Sequence, residues 1–320
     1  MKKLTYLVSA VAAAFSATAH ADVSVSGSAN VAYVNDVQGN AIGANGSTLD
    51  FSLSTTTANG IGISTGMSIT VDQDAESAAG AGGGQAVTFT TDGATIVVGD
   101  MELGDTPGSV GGVVGNAAGD VGGFDSDVHT GFADDDGYGL SFSTAVGAAT
   151  VSIGYILEDD GNSRADIDAA AAETMSAVNL SMPLGSYTVS AGIADHSSGE
   201  QASGASVSGS MGGGTLTVGY STQALLATSD GTTAADLAVA GDSVVMGATY
   251  SMALDADTTI SVGYQNAKDA DSHSHTRTDL SISRSLGGGA SVFLDMRSLS
   301  GDTDANGDGT AMSFGTAVAF

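Results

Sequence analysis

The sequence predicts an all-β protein, a closed antiparallel transmembrane barrel of sixteen strands. Three observations carry that prediction. Apolar residues alternate with small or polar ones, with a period of two, in one segment of about ten residues after another. This is the mark of strands with two unlike faces, at the length a tilted strand needs to cross a bilayer. The connections alternate short and long, with both chain ends on the short side, as in an even-stranded barrel. Finally, the sequence finishes on "AMSFGTAVAF", residues 311–320, an alternating strand where a soluble domain carries a polar tail. In lipid every backbone N–H and C=O needs a partner. A strand ending on Phe320 therefore calls for a fixed neighbour, and the segment at 23–34 supplies one.

Taken in order, the alternating segments span 23–34, 47–57, 60–71, 85–92, 93–101, 137–146, 148–158, 173–183, 185–195, 202–211, 213–222, 242–253, 256–265, 276–286, 289–299 and 310–320. The first sets Val23, Val25, Val31 and Tyr33 against Ser24, Ser26, Ser28 and Asn30. "TVSIGYIL" (150–157), "TLTVGYS" (215–221) and "TISVGYQ" (259–265) repeat the scheme, with Gly, Ser and Thr opposite Val, Ile and Tyr. A Gly/Ser face packs poorly as a core and serves well as a wetted wall. Turn signals at "NG" (59–60), "DG" (92–93), "LGS" (184–186) and "GGG" (212–214, 287–289) close the short connections. The longest connection is 102–136.

Ahead of the first strand stand Lys2, Lys3, an apolar run from Leu4 to Phe15 and "AHA" at 19–21. That pattern is a secretory signal peptide over residues 1–21, leaving 22–320 as the barrel domain. All seven tyrosines beyond it (Tyr33, Tyr138, Tyr155, Tyr187, Tyr220, Tyr250 and Tyr264) fall on the apolar face near a strand end. Tyrosine prefers the membrane–water boundary, ring in lipid and hydroxyl in water, so these residues form an aromatic girdle. Tyr187 and Tyr250 belong to the short-turn rim and the other five to the opposite one. There is no cysteine, hence no disulfide framework and no thiolate metal site.

Beyond residue 21 the chain carries five basic side chains against 36 acidic ones. Phosphate contacts need Lys and Arg, so nucleic acid is excluded as a partner. Only 13% of residues are charged and the mean hydropathy is +0.17, too apolar for a disordered acidic chain. The apolar groups must face something other than water.

The opening strand "VSVSGSANVAY", the strand "ATIVVGDMELGD" (94–105) leading into the longest connection, and the terminal Phe320 together resemble Gram-negative general porins, particularly the alphaproteobacterial type. The resemblance implies residence in the outer membrane, in contact with its lipid and lipopolysaccharide. It further implies a loop after the fifth strand that folds into the barrel and narrows it, and a C-terminal strand read by the barrel assembly machinery through Phe320. Association into a homotrimer and passive diffusion of small solutes and ions, without a cofactor, follow from the same likeness. The chain departs from the pattern in having no Trp and no arginine cluster facing the inward loop.

Between Lys3 and Arg164 there is no Lys or Arg, while 22–163 hold 19 acidic residues. Glu102, Asp105, Asp120, Asp125 and Asp127 are the candidates for the constriction, and Asp50 for the wetted face of the second strand. Arg277, Asp295 and Arg297 are candidates for the lumen wall, with Asp295 and Arg297 spaced to pair. Charge at a narrow place sets ion selectivity, so this distribution predicts preference for cations and neutral solutes over anions. "DTDANGDG" (302–309) sets Asp302, Asp304, Asn306 and Asp308 at the spacing of a calcium loop, but its twelfth position is Ser313 and not Glu. It reads as an acidic external loop with at most weak Ca²⁺ binding. "DSHSHTR" (271–277) has two histidines that would share one strand face if extended and could hold a metal, but it reads as a solvated loop. No nucleophile–base spacing and no phosphate loop is present, so catalysis is not expected. The competing reading is a secreted acidic β-rich adhesin or surface-layer protein. That class shows short regular repeats, which are absent here.

Overall fold

The computed structural model describes residues 22–36, 39–43, 47–71, 80–82, 86–102, 136–156, 174–197, 201–225, 241–268, 274–301 and 309–320. These form one antiparallel sheet that closes on itself. Its sixteen strands are β1 (Asp22–Asp36), β2 (Ser47–Thr56), β3 (Gly62–Val71), β4 (Ala86–Thr90), β5 (Ala94–Glu102), β6 (Asp136–Val146), β7 (Ala149–Ile156) and β8 (Met175–Leu184), followed by β9 (Tyr187–His196), β10 (Gln201–Met211), β11 (Gly214–Leu225), β12 (Gly241–Ala253), β13 (Thr258–Lys268), β14 (Ser274–Gly287), β15 (Ala290–Gly301) and β16 (Gly309–Ala319). No described residue is helical.

Two short segments accompany them. Gly39–Gly43 pairs with the far end of β1, and Gly80–Gly82 with the far end of β3. They continue the lines of β2 and β4, so each of those strands is laid down in two pieces. Neither piece was expected from the sequence. "GNAIG" and "GAG" carry too few large side chains to show an alternation.

Closure is complete at the backbone. Tyr33 stands opposite Phe314, and the register runs from Ser28 with Ala319 to Asn35 with Met312. Beyond it, the Gly27 N–H donates to the Phe320 carbonyl at 3.1 Å and the Phe320 N–H to the Gly27 carbonyl at 3.0 Å. The terminal residue thus has the partner the sequence demanded. A Cβ on Gly27 would lie 2.7 Å from the Phe320 ring, so glycine is what lets the ring lie flat over the seam. The Tyr33 and Phe314 rings continue that seam at 5.3 Å between centroids.

The two faces differ as the alternation requires. Val23, Val31, Leu140, Ile153, Ile193 and Phe314 point outward and are exposed. All seven tyrosines share that outer face. At the short-turn rim Tyr187 lies over Gly209 and Tyr250 over Gly214, where an added Cβ would meet the rings at 2.3 and 2.7 Å. The Tyr250 hydroxyl also donates to the Met211 carbonyl at 3.1 Å. It thereby holds the adjacent turn, in which Gly212 and Gly213 both take positive φ (59° and 89°), as a two-residue hairpin turn of the primed kind demands.

Candidate functional site

The inner wall is built first from hydroxyls. At several positions a residue adjacent in sequence to an outward one pairs across the ladder with its like. Ser28 meets Thr48 at 2.8 Å, Ser152 meets Ser143 at 3.0 Å, Ser208 meets Thr217 at 2.9 Å and Ser261 meets Ser251 at 2.8 Å. A short polar side chain satisfied by its neighbour leaves lone pairs turned to the lumen. Asp50 sits on this face of β2, opposite Ser26 and Ser68, and accepts a hydrogen bond from the Ser68 hydroxyl at 2.5 Å.

On β13–β16 the wall changes character. Arg277, Asp279, Asp295 and Arg297 all point inward, and they are only 3%, 2%, 2% and 4% exposed. Asp279 is the centre of the group. Arg297 lies directly opposite it in the ladder and brings Nε within 3.1 Å of one carboxylate oxygen. Arg277, two residues away on the same strand, brings Nε within 3.4 Å of the other. The pair expected from the sequence was Asp295 with Arg297; the carboxylate that Arg297 and Arg277 reach is Asp279, which the sequence did not single out. A signal existed in "RTD" at 277–279, two like-facing charges on one strand. The register that sets Asp279 against Arg297 is not contained in either strand by itself. By strand order β14 stands eight strands from β6, half-way round the barrel.

A third zone lies on β7–β10. Ile156, Met175, Ala177, Ala194 and Ala202 form a buried apolar cluster on the inner face, and Met101 from β5 packs against it. Gly139 on the intervening β6 cannot carry a side chain, since a Cβ would sit 2.4 Å from the Tyr155 carbonyl oxygen. The buried His196 borders this zone, opposite Met175.

Of the proposed constriction acids, Glu102 is the last residue of β5, opposite Asp136. Asp105, Asp120, Asp125 and Asp127 lie outside the described residues, as do Asp302, Asp304, Asn306, Asp308 and the signal segment 1–21. Among the described residues no group of three or more His, Cys, Asp or Glu side chains is arranged to hold a metal.

A closed sixteen-stranded antiparallel barrel, greasy outside and hydroxyl-lined inside, is the architecture of a membrane channel. The sequence matches the Gram-negative porin family over residues 8–306, and the chain belongs to that family, whose place is the outer membrane. No curated protein matches the chain in sequence. Among solved structures it is similar to a porin refined at 1.8 Å resolution, at 20% identity and a TM-score of 0.67, covering 93% of this chain and all of that one. An anion-selective porin from Comamonas acidovorans aligns at 13% identity and a TM-score of 0.67, over 94% of this chain and all of that one. The trimer form of OmpT, an outer membrane protein of Vibrio cholerae, aligns at 10% identity and a TM-score of 0.66, over 94% and 99% of the two chains. At these identities the likeness is one of fold.

Proposed function

We propose that this porin passes small hydrophilic solutes and ions by passive diffusion, preferring cations and neutral solutes over anions. The observation that supports the sign of the preference is the state of the basic residues. Arg277 and Arg297 are both engaged by Asp279, and Arg284 is engaged by Asp255 at 3.2 Å. The inward Asp50, by contrast, has a hydroxyl as its hydrogen-bond donor. With 19 acidic residues and no Lys or Arg in 22–163, the excess lumen charge is negative. The fold does not set this sign, since the Comamonas relative is anion-selective.

Within this reading, 1–21 is removed on export, and 103–135 enters the lumen and supplies Asp105, Asp120, Asp125 and Asp127 to its narrowest part. Support for the inward path comes from Met101, which turns onto the inner-wall cluster just before that segment. Trimer assembly follows the Vibrio relative, and docking of the Phe320 strand on the assembly machinery follows the family. The test is the zero-current potential of the refolded protein in a planar bilayer across a KCl gradient. A K⁺-to-Cl⁻ permeability ratio above one is expected, and a ratio below one would overturn the preference.

A further inference from the structure

We propose that Asp279 is a selectivity-determining residue, which keeps the lumen from becoming anion-attracting by pairing with Arg277 and Arg297 against the wall, with Asp295 completing the charge balance. The proposal takes from the preceding section only that the barrel conducts ions. The sign of its predicted changes does not depend on the wild-type preference.

Four ionised side chains on neighbouring strands are nearly inaccessible, although they face the interior of a barrel wide enough to be wet. Ionisable residues at membrane depth are costly, and they persist where they pair and where they serve the ion path. Both arginines turn their Nε toward the one carboxylate, so each of its oxygens accepts one guanidinium. That geometry places two positive groups flat on the wall and leaves the set Arg277, Asp279, Asp295 and Arg297 with no net charge. The Arg297 Nε donates to Asp279 at 3.1 Å, with the buried Asp295 two residues away on the same strand.

Removal of the Asp279 charge leaves one net positive charge on a wall half-way round the barrel from β6. A guanidinium differs from a lysine ammonium in keeping its charge at every working pH, so this positive excess cannot be relieved by deprotonation. Removal of the Arg297 charge leaves one net negative charge at the same place. The two changes should therefore move selectivity in opposite directions, and together they should cancel.

The experiment measures K⁺-to-Cl⁻ permeability ratios for the full-length protein in planar bilayers at about 0.1 M salt, where screening extends over roughly 10 Å. Asp279→Asn is expected to lower the ratio by about twofold or more, the effect of one unit charge about 8 Å from an ion's path in water. Arg297→Gln is expected to raise it by a similar factor, and the double variant to return to the wild-type value. Heat-modifiable migration on SDS gels certifies that each variant forms its barrel. If one single variant fails to assemble, the other carries the test. Ratios unchanged within that factor, or single-variant shifts of the same sign, would overturn the proposal. A wild-type ratio below one with opposite shifts in the two variants would instead retain it and discard the cation preference.

Discussion

Two of the buried zones on the described inner wall are the apolar cluster on β7–β10 and the ionic cluster on β14–β15, and they are buried on different terms. Ile156 and Met175 lose nothing by leaving water and gain the ordinary hydrophobic free energy. Arg277, Asp279, Asp295 and Arg297 give up strong hydration, which only close mutual contact offsets. Elsewhere the wall is exposed serine, as at Ser24, Ser26 and Ser64. The difference teaches that one continuous sheet face performs two tasks. The apolar zone is a packing surface, and the ionic zone is an electrostatic element that has to be complete to be tolerated.

The largest expected effect breaks the ionic zone. Asp279→Leu removes the carboxylate and leaves two buried guanidiniums facing each other, a loss of about 3–5 kcal/mol when a buried pair is broken from one side. The temperature at which the folded band disappears on SDS gels should fall well below that of the wild type. An unchanged transition would mean that the arginines turn into lumen water and were never dependent on Asp279. Next in size is Ile156→Ala, which opens a hole in the apolar zone at a residue with no exposed surface. Its cost is about 2–4 kcal/mol, in the range for buried large-to-small changes, with no change in ion selectivity. A cost under about 1 kcal/mol would show that the apolar zone is not close-packed, and the contrast between the zones would disappear.

The strands, the closing contact and the split of faces were legible because each follows from period two and from the need to pair every backbone group in lipid. The "SGSANVAY" stretch of β1 shows its inner and outer sides without any partner in view. Pairwise geometry was less legible. Asp279 looked like one more polar residue until the β14–β15 register set it opposite Arg297. Register depends on turn length and on a bulge between Ser285 and Gly287, neither of which alternation encodes. The pairing of outer aromatics with cross-strand glycines, such as Tyr187 with Gly209, was hidden for the same reason. The apolar inner zone was obscured differently, since Met175, Ala177, Ala194 and Ala202 sit where the pattern called for a wetted wall.

The smallest effect sharpens the comparison by moving the same chemistry into water. Arg284 and Asp255 also form an ion pair, at 3.2 Å, but both are about half exposed at the short-turn rim. The Asp255 carboxyl is held below its ordinary value of 3.8, chiefly by the Asp257 backbone N–H, then by the Thr258 hydroxyl and with help from Arg284. A depressed folded-state value means that the ionised form stabilises the fold. That contribution is fully present above the unfolded value and fades as the pH drops through the folded one. Exposed pairs are weak and screened, so Asp255→Asn should lower the thermal transition only slightly at pH 7. The gap between variant and wild type should close as the pH is taken below 3.8. It should also narrow in high salt, whereas the Asp279 effect, shielded from solvent, should change little. An Asp255 gap that is as large as that of Asp279, or that persists in acid, would show that burial is not what separates the two ionic groups.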